Sequence, residues 1–435
     1  ASFWGFCEAY LHHRFGVDWC LSPEQSLSLH AGNHAVPTQL LIRAPKARNK
    51  VTALPHGTSL LDVRSAMPEV QAIEEKEGLR LYSVPTALIA CAPGFYRTNP
   101  TDARAALAMI RDASELLPPL LEGGHSTIAG RLAGGMRNIG RNRIADDILK
   151  TMRAASYDVR ESDPFDTTMA NVLLDRETSP YVNRIRLMWQ QMRGTVIELF
   201  PCSPGQPIAV DDYLKSVEEI YSTDAYHSLS IEGYRVSPEL INRVRDGEWN
   251  PSADDADREQ CDALAARGYW QAYQVVRESV RKVLHGGNPG DVADEDHGAW
   301  YLEMFAPSVV AALLRPADLA GYRNDQVYLR GSMHVPPSRE AVRELMPAFF
   351  DLLREEDDPA VRVVLGHFVF VYIHPYMDGN GRIGRFMMNL MLASGGYPWT
   401  VVPVEERNTY MEALEAASVR QDIVPFVSFL ASLVR

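Results

Sequence analysis

The sequence predicts a mainly α-helical protein in which a domain of mixed α and β structure precedes a helical domain. Short runs of β-forming residues, bounded by proline and glycine, occur mainly near the front of the chain. Apolar residues at helical spacing dominate the second half. There, a turn of sequence Asp-Gly-Asn-Gly separates two apolar helical segments, residues 361–373 and 383–394. The helical domain is organised around this turn.

Length and charge limit the possible classes of protein. The chain has 435 residues, which is enough for two or three domains with separate cores. A content of 46% hydrophobic and 23% charged residues is typical of a soluble globular protein. The formal net charge of −13 argues against non-specific binding of nucleic acid by the whole chain, but it does not exclude a local basic patch.

The cysteines and the apolar runs indicate in which cellular compartment the protein is expected. Five cysteines are scattered without metal-ligand spacing, and their number is odd, so we expect a reduced, cytoplasmic protein. No apolar run resembles a transmembrane span or a signal peptide, so we expect no membrane partner. The chain begins with Ala1 rather than methionine, which suggests that N-terminal residues were removed or left out.

Residues 1–165 are predicted to form the mixed front domain, and residues 166–219 a helical connector. Pro164 and its polar neighbours mark the boundary. The predicted elements of the front domain are two strands and two helices, at residues 39–43, 79–84, 104–117 and 144–155.

Two basic clusters in the front domain are candidates for contact with nucleic-acid phosphates. They comprise Arg43, Lys46, Arg48 and Lys50, and Arg131, Arg137, Arg141 and Arg143. A solvated loop and helix face is the simpler interpretation. The sequence leaves both interpretations open.

The turn in the helical domain has the features of an anion-binding site. Gly379 and Gly381 allow the backbone to turn tightly and bring its amides close to a ligand. The N-terminal end of the following helix attracts negative charge to the same place. Arg382 and Arg385 are three residues apart, so both can reach phosphate oxygens from one helical face.

Two further residues bring reactive groups to this turn. Asp378 is a hard oxygen ligand of the kind that binds a largely hydrated Mg²⁺ ion. His374 has an ordinary pKa near neutrality, so it is the candidate general base. Each residue alone is more often structural, and only their combination within twelve residues predicts phosphoryl-group chemistry.

The segment from His374 to Arg385 resembles the signature of Fic-domain proteins, His-x-Phe-x-(Asp/Glu)-Gly-Asn-(Gly/Lys)-Arg-x-x-Arg. Every polar position matches, and the one departure, Tyr376 for phenylalanine, keeps an aromatic ring. The resemblance implies a helical Fic domain over residues 220–435 that binds ATP. The nucleotide-binding residues implied within the signature are Asp378, Gly379, Asn380, Gly381, Arg382, Gly384 and Arg385.

An upstream motif resembles the inhibitory helix of Fic proteins, (Ser/Thr)-x-x-x-Glu-(Gly/Asn). Ser228 and Glu232 are four residues apart and therefore share one helical face. Gly233 allows the helix to end directly after Glu232. The helix is expected at about residues 224–233. The resemblance implies that Glu232 pairs with Arg385 and withholds this arginine from the γ-phosphate of ATP.

Residues 321–337 are predicted to form a β-hairpin that interrupts the helices. The segment resembles the flap with which Fic proteins hold a target segment by strand addition. An ordinary connecting hairpin is the alternative. The target-binding residues implied are Val327, Tyr328, Leu329, Gly331 and His334.

A helical pattern downstream, residues 407–417, contains Tyr410 and Met411. By resemblance these two side chains line the adenine pocket, whereas their spacing is equally typical of core packing. Ser418 stands where some relatives carry asparagine, so one polar contact to the nucleotide is missing from the pattern.

The resemblance implies a protein adenylyltransferase that uses ATP and Mg²⁺. AMP would pass to a serine, threonine or tyrosine hydroxyl of a target protein, or of the enzyme itself. His374 is the implied base, Asp378 the metal ligand and Glu232 the inhibitor. The alternatives are removal of AMP, transfer of another phosphate-containing group, and a DNA-binding transcriptional regulator that senses nucleotide.

Two short stretches of the front domain, residues 21–27 and 54–57, resemble antitoxin-like regulators of the abortive-infection type. In those proteins a winged helix precedes a similar body. Contact with DNA, through the front domain or a preceding segment, is therefore one expectation for the partners. Assembly into a homodimer is another.

Overall fold

The computed structural model describes residues 2–167, 179–205, 209–248 and 261–434. The chain forms two compact units: residues 1–188 with 328–335, here called the front unit, and residues 189–327 with 336–435, the helical unit. Among the described residues helices dominate and all strands lie in the front unit, so the predicted mainly α fold class is confirmed. None of the helices in the described ranges combines the length and apolar character needed to cross a membrane.

The strands of the front unit form two small sheets. One has four strands in the order β1-β2-β4-β3, with β2 and β4 parallel and the outer pairs antiparallel. The other is an antiparallel pair, β5 and β6. The strands are β1 (Cys20–Leu21), β2 (Gln39–Ala44), β3 (Lys50–Ala53), β4 (Ser59–Arg64), β5 (Ile73–Lys76) and β6 (Leu79–Tyr82).

Both strands predicted from the sequence are present, at β2 and β6. The second ends at Tyr82 rather than at residue 84, because Ser83 already precedes a helix with Pro85 in its first turn. Proline suits this position because its fixed φ is helical and its missing N–H would have no partner there.

The described part of the front unit contains eight α-helices between residues 3 and 154. They are α1 (Phe3–Phe15), α2 (Pro23–His30), α3 (Val84–Ala90), α4 (Phe95–Thr98), α5 (Pro100–Ala108), α6 (Leu117–Glu122), α7 (Ser126–Asn138) and α8 (Asn142–Ala154). The predicted helix at 144–155 is confirmed by α8. The predicted helix at 104–117 is divided, because Asp112 and Glu115 bond to nearby backbone N–H groups and impose a turn.

A buried carboxylate fastens the core of the front unit. Asp102, on α5, accepts hydrogen bonds from Ser28 Oγ at 2.7 Å and Asn33 Nδ2 at 2.9 Å, and it pairs with Arg184. Both charged side chains are fully buried. A buried charge is tolerated only when it is paired and hydrogen-bonded, and the three partners meet that requirement.

The helical unit consists of long helices. They are α9 (Pro180–Leu199, which begins in the front unit), α10 (Val210–Ile231), α11 (Pro238–Arg245), α12 (Cys261–Leu284), α13 (Pro289–Val310), α14 (Arg339–Glu355), α15 (Pro359–Ile373), α16 (Asn380–Ser394), α17 (Arg407–Arg420) and α18 (Val424–Leu433). Helical periodicity in the sequence predicts helices at residues 183–200, 338–355, 361–373 and 383–394, and these correspond to α9, α14, α15 and α16. The same periodicity predicts a helix at residues 253–284, of which the first eight residues lie outside the described ranges.

The β-hairpin predicted for residues 321–337 is not formed. All of these residues are described, and no strand is assigned among them. The segment contains a turn in which Ser332 N donates to Leu329 O at 3.2 Å, with Gly331 at a φ of 79°. Its second limb includes Pro336 and Pro337, which have no N–H to donate to a β-ladder, and this explains the missing strands.

The signature helices α15 and α16 approach closely. His367 Nδ1 lies 2.7 Å from the backbone oxygen of Gly384, and the missing side chain of Gly384 makes room for His367 and Val371. A second close crossing joins α12 to α13, where a Cβ at Gly268 would overlap the backbone oxygen of Met304.

The crossing at Gly268 predicts a stability effect. In Gly268→Ala the new methyl group would force α12 and α13 apart, so we expect the free energy of unfolding to fall by about 2 kcal/mol or more. Gly298→Ala on α13 is the matched control, because a Cβ there would meet nothing within 4 Å. Urea unfolding followed by circular dichroism measures both. Equal stability of the two variants would contradict the prediction.

Candidate active site

The signature histidine ends helix α15 in an unusual backbone conformation. His374 is the C-cap residue, with φ of 54° and ψ of 61° in the left-handed region. A non-glycine residue adopts this conformation only when its surroundings hold it there. Two hydrogen bonds do so: Arg323 Nε donates to the His374 oxygen at 2.8 Å, and Arg323 N donates to the Pro375 oxygen at 2.9 Å.

Arg323 is a residue that the sequence analysis missed. Its guanidinium is buried, and it donates in addition to the backbone oxygens of Asp325 and Pro337. One side chain therefore joins both ends of the 325–337 segment to the signature loop. The sequence carried no signal for this role, because all the acceptors are backbone atoms.

The ring of His374 is suited to accept a proton. Its Nδ1 lies 3.3 Å from the backbone oxygen of Val371, which can only accept a hydrogen bond, so Nδ1 carries the proton. The other nitrogen, Nε2, is then the unprotonated one. Burial lowers the pKa of His374 to about 4, which keeps the ring neutral at physiological pH.

The two glycines form a cradle at the start of α16. Gly379 is the N-cap residue with φ of 82°, and a Cβ there would contact the ring of Phe305. A Cβ at Gly381 would overlap Oε1 of Glu232. The carboxylate of Glu232 therefore lies directly against the backbone of the cradle, at a helix N-terminus that favours an anion.

Glu232 also contacts the second signature arginine. Arg385 Nη2 donates to Glu232 Oε1 at 2.7 Å and to the Ser228 backbone oxygen at 3.0 Å, while Nε donates to Ser228 Oγ at 2.8 Å. The Arg385 side chain is only 4% exposed, and Glu232 is 30% exposed. Burial raises the pKa of Glu232, but the charges of Arg385 and Arg382 outweigh it, so this pKa lies below its ordinary value.

Arg382 is held between aromatic rings. Its guanidinium carbon lies 5.2 Å from the ring centre of Tyr234 and 5.1 Å from that of Phe305. Its Nη2 donates to Asp378 Oδ2 at 3.3 Å. These contacts fix the direction of the guanidinium, which suits a site for a polyanion.

Two buried nitrogens at the cradle have no hydrogen-bond partner among the described residues: Arg382 Nε and Arg385 Nη1. Buried donors without a partner are rare, since each costs free energy. They lie on the two arginines that the signature assigns to phosphate. These unpaired N–H donors therefore suit the phosphate oxygens of a nucleoside triphosphate.

Asp378 is available to a cation. Its side chain is 67% exposed and lies beside the cradle, where Oδ1 accepts from Gly379 N at 2.6 Å. No group of three or more metal-ligating side chains occurs among the described residues. Mg²⁺ fits this arrangement, because it is commonly held by one carboxylate, phosphate oxygens and water.

Asn380 and Tyr376 brace the loop from within. The Asn380 amide exchanges two hydrogen bonds with the backbone of Tyr376, at 2.8 and 2.9 Å. The Tyr376 ring stacks on Tyr301 with centroids 4.0 Å apart, so the tyrosine fills the aromatic position of the signature. The side chain of Asn380 is thus occupied inside the loop.

The inhibitory motif occupies the end of a helix longer than predicted. Ser228 lies in α10, and Glu232 is its C-cap residue. One turn earlier, Asp224 is fully buried and accepts from Tyr269 OH at 2.5 Å and Trp399 Nε1 at 3.1 Å. Burial raises the pKa of Asp224. This anchor was missed by the sequence analysis, because its partners are far apart in the chain.

The two residues expected at the adenine pocket lie in different environments. Tyr410 is buried, and its hydroxyl lies 2.7 Å from His367 Nε2. Burial raises the pKa of Tyr410 to about 12. Met411 is 46% exposed. Of the two, only Met411 offers surface to a ligand.

The segment expected to bind a target is divided between the units. Val327 belongs to the helical unit, whereas Tyr328, Leu329, Gly331 and His334 belong to the front unit. Tyr328 is exposed and His334 is buried. Val36 N donates to the backbone oxygen of Met333 at 2.8 Å, which ties the segment to the rest of the front unit.

Comparison with known proteins agrees with this geometry. Residues 305–392 match the model of the Fic/DOC family. Two relatives named "Protein adenylyltransferase Fic", from Nematostella vectensis and Drosophila willistoni, are each 39% identical over 120 residues. Each match covers 27% of this chain. It covers 27% of the Nematostella vectensis protein and 24% of the Drosophila willistoni protein, which is about a quarter of each relative's length. Residues 305–392 are therefore similar to a Fic domain.

Solved structures of Fic proteins are more distantly similar. Fic-1 from C. elegans is 20% identical, with a TM-score of 0.41 over 76% of this chain and 92% of that chain. A Fic domain containing signaling protein from Bacteroides thetaiotaomicron is 19% identical, with a TM-score of 0.39 over 57% of this chain and 93% of that chain. Similarity at this level carries no argument about function.

The buried environment of His374 predicts its titration. Because burial disfavours the charged ring, we expect His374 to stay neutral from pH 7 down to pH 5 and to titrate near pH 4. Protonation then favours the unfolded chain, so His374 lowers the free energy of unfolding as the pH falls from 6.5 towards 4. NMR titration of the ring, assigned with His374→Ala, measures this. A midpoint at or above 6.5 would contradict it.

Proposed function

We propose that this protein is an adenylyltransferase that moves AMP from ATP to the hydroxyl group of a protein side chain. The observation that carries the proposal is the combination, at one helix N-terminus, of a neutral histidine with two arginines that each have one buried nitrogen without a partner among the described residues. The first provides a base, and the second a site for phosphates. The name shared by the relatives of the Fic domain supports the same reaction.

In the proposed complex, the β- and γ-phosphates of ATP lie on Arg382, Arg385 and the backbone amides from Gly379 to Gly381. Asp378 would hold Mg²⁺, which neutralises charge on the leaving group when bound. Gly384 contributes by letting α15 approach α16, and Asn380 by bracing the loop. Met411 is the proposed contact for adenine, with Tyr410 supporting it from the core.

The chemical step uses the lone pair of His374. Nε2 takes the proton of the target hydroxyl, and the oxygen attacks the α-phosphorus in line. A bond forms between this oxygen and the α-phosphorus, and the bond from the α-phosphorus to the bridging oxygen breaks. Pyrophosphate leaves with the electron pair, and AMP remains on a serine, threonine or tyrosine of the target or of the enzyme itself.

The contact between Glu232 and Arg385 would inhibit this reaction. The carboxylate occupies the cradle and one face of the guanidinium, both of which the γ-phosphate needs. ATP could then bind only with its α-phosphate out of line. An inhibition of about a hundredfold corresponds to about 2.7 kcal/mol, which one charge-assisted pair can supply.

The segment from Val327 to His334 is the proposed contact for the target. It is extended around a turn and lacks a β-ladder of its own among the described residues. Its backbone groups could therefore pair with an incoming strand, which gives affinity with little side-chain selectivity.

All five cysteines are free thiols, which fits the reducing cytoplasm as the proposed location.

The proposal predicts the behaviour of Glu232 variants with α-labelled ATP and Mg²⁺. Removing the charge frees Arg385, so Glu232→Gly and Glu232→Gln are expected to raise labelling of protein by about a hundredfold. Glu219→Gln is the matched control, because Glu219 lies on the same helix with its side chain 69% exposed. Equal labelling in the three variants and the wild type would refute the inhibition.

The base is tested in the activated background. Adding His374→Ala to Glu232→Gly is expected to abolish labelling, because the variant lacks the proposed general base. Differential scanning fluorimetry with ATP checks that the double variant is folded and still binds nucleotide. Label that persists at the level of Glu232→Gly would overturn the mechanism.

Arg323 is proposed to position His374 without touching ATP. Arg323→Lys keeps the charge but loses the planar guanidinium that donates to several backbone oxygens. We therefore expect kcat in the Glu232→Gly background to fall about tenfold or more. KM for ATP should change little, since Arg323 bonds the backbone of His374 rather than the phosphate site. Arg420→Lys, at an exposed helix end, is the control. An unchanged kcat would contradict this role.

A further inference from the structure

The front unit contains a basic cleft that the proposed transfer reaction does not use. Its volume is about 500 Å³, and its lining combines cations with aromatic rings. The lining residues are Tyr10, Arg14, Phe15, Lys46, Arg48, Lys50 and Thr52. They come from the end of α1, the edge strand β3 and the loop before β3.

The charge of this cleft is opposite to that of the chain. Residues 43–50 carry four cations and no acidic residue, although the whole chain has a net charge of −13. Lys46, Arg48 and Lys50 are exposed, and no ion pair involves them within the described part of the chain. Solvated faces usually mix both signs of charge, so three uncompensated cations on one loop need a different explanation.

A buried carboxylate holds this loop in shape. Asp62, on β4, is fully buried and accepts hydrogen bonds from Arg48 N at 3.0 Å and Lys50 N at 2.9 Å. It also pairs with Arg14. The charge of Arg14 is thus compensated, while the three other cations are fixed by their backbone and keep their charge. The three cations occupy alternate positions along the chain and line the same cleft.

Aromatic rings continue from the cleft along α1. The Arg14 guanidinium lies 4.8 Å from the ring centre of Phe15 and donates to Tyr10 OH at 3.1 Å, which orders that tyrosine. Tyr10 stacks on Phe6 with centroids 5.8 Å apart, and Phe6 is 42% exposed. The helix therefore presents an aromatic surface beside a row of cations.

We propose that this cleft and its aromatic extension bind single-stranded nucleic acid. Lys46, Arg48 and Lys50 contact phosphates, because a polyanion brings several negative charges to a cleft that holds three uncompensated cations. Phe6 and Tyr10 provide faces on which unpaired bases stack, which a duplex cannot use. The partner is recognised by its backbone charge and its exposed bases, without a sequence code.

Fluorescence anisotropy with a labelled mixed-sequence oligonucleotide of twenty nucleotides tests the proposal on the full chain. We expect the single strand to bind at least fivefold more tightly than the duplex. The slope of log Kd against log salt should be about 2, because three phosphate contacts each contribute about 0.7. Equal affinity for the duplex, a slope near zero, or displacement by millimolar ATP as effective as by unlabelled oligonucleotide would overturn it.

Variants separate the two parts of the surface. Lys46→Gln combined with Arg48→Gln and Lys50→Gln should weaken binding at least tenfold and remove most of the salt dependence. The control combines Arg111→Gln, Lys150→Gln and Arg160→Gln, which removes the same charge from exposed positions of the front unit that belong to neither basic cluster. Phe6→Ala should weaken single-strand binding about fivefold or more and leave the salt slope unchanged.

Two results would refute the assignment of the cleft: an equal loss of affinity in both triple variants, or full binding by the Lys46, Arg48 and Lys50 variant. His374→Ala should bind the oligonucleotide like the wild type. Binding is measured without ATP, so failure of the adenylyl transfer would not affect this experiment.

Discussion

The buried guanidinium of Arg385 is the constraint on which the helical unit depends. A cation that is only 4% exposed needs a compensating charge, and Glu232 supplies it at 2.7 Å. That requirement brings the end of α10 against the start of α16. Ser228 completes the coordination of the arginine through its hydroxyl and its backbone oxygen. Any anion that takes the place of Glu232 must satisfy the same guanidinium, which is why a nucleotide and this carboxylate would compete.

The backbone conformation at His374 is a second constraint on the helical unit. His374 lies in the left-handed region, and Arg323 holds its carbonyl and that of Pro375. The ring is thereby presented at the end of a buried helix with one nitrogen bonded and the other available. A general base needs this combination of fixed direction and neutral charge. The same burial that keeps the ring neutral also makes it costly to protonate, so the neutral ring and the loss of stability at low pH have one cause.

The front unit follows a different electrostatic pattern. Two buried aspartates, Asp62 and Asp102, each compensate an arginine and accept further hydrogen bonds. The first also fixes a loop whose three remaining cations have no compensating acid among the described residues. The net charge of the whole chain gives no indication of this, because a local field depends on where charges are placed and not on their sum.

The sequence by itself determined the helical class, the strands β2 and β6, and the residues of the signature loop. Those features depend on local periodicity, turn chemistry and spacing within twelve residues, all of which are visible along the chain. It did not reveal Arg323, Asp224 or the role of Tyr410, because their partners lie far away in sequence and include backbone atoms and buried rings. The prediction of a hairpin at residues 321–337 was wrong for a related reason. β-Forming residues make a strand only where a neighbouring segment offers backbone N–H donors, and Pro336 and Pro337 have none. Whether Glu232 actually meets Arg385 was decided only by the tertiary structure, because a contact between residues 153 positions apart depends on how the helices that carry them pack.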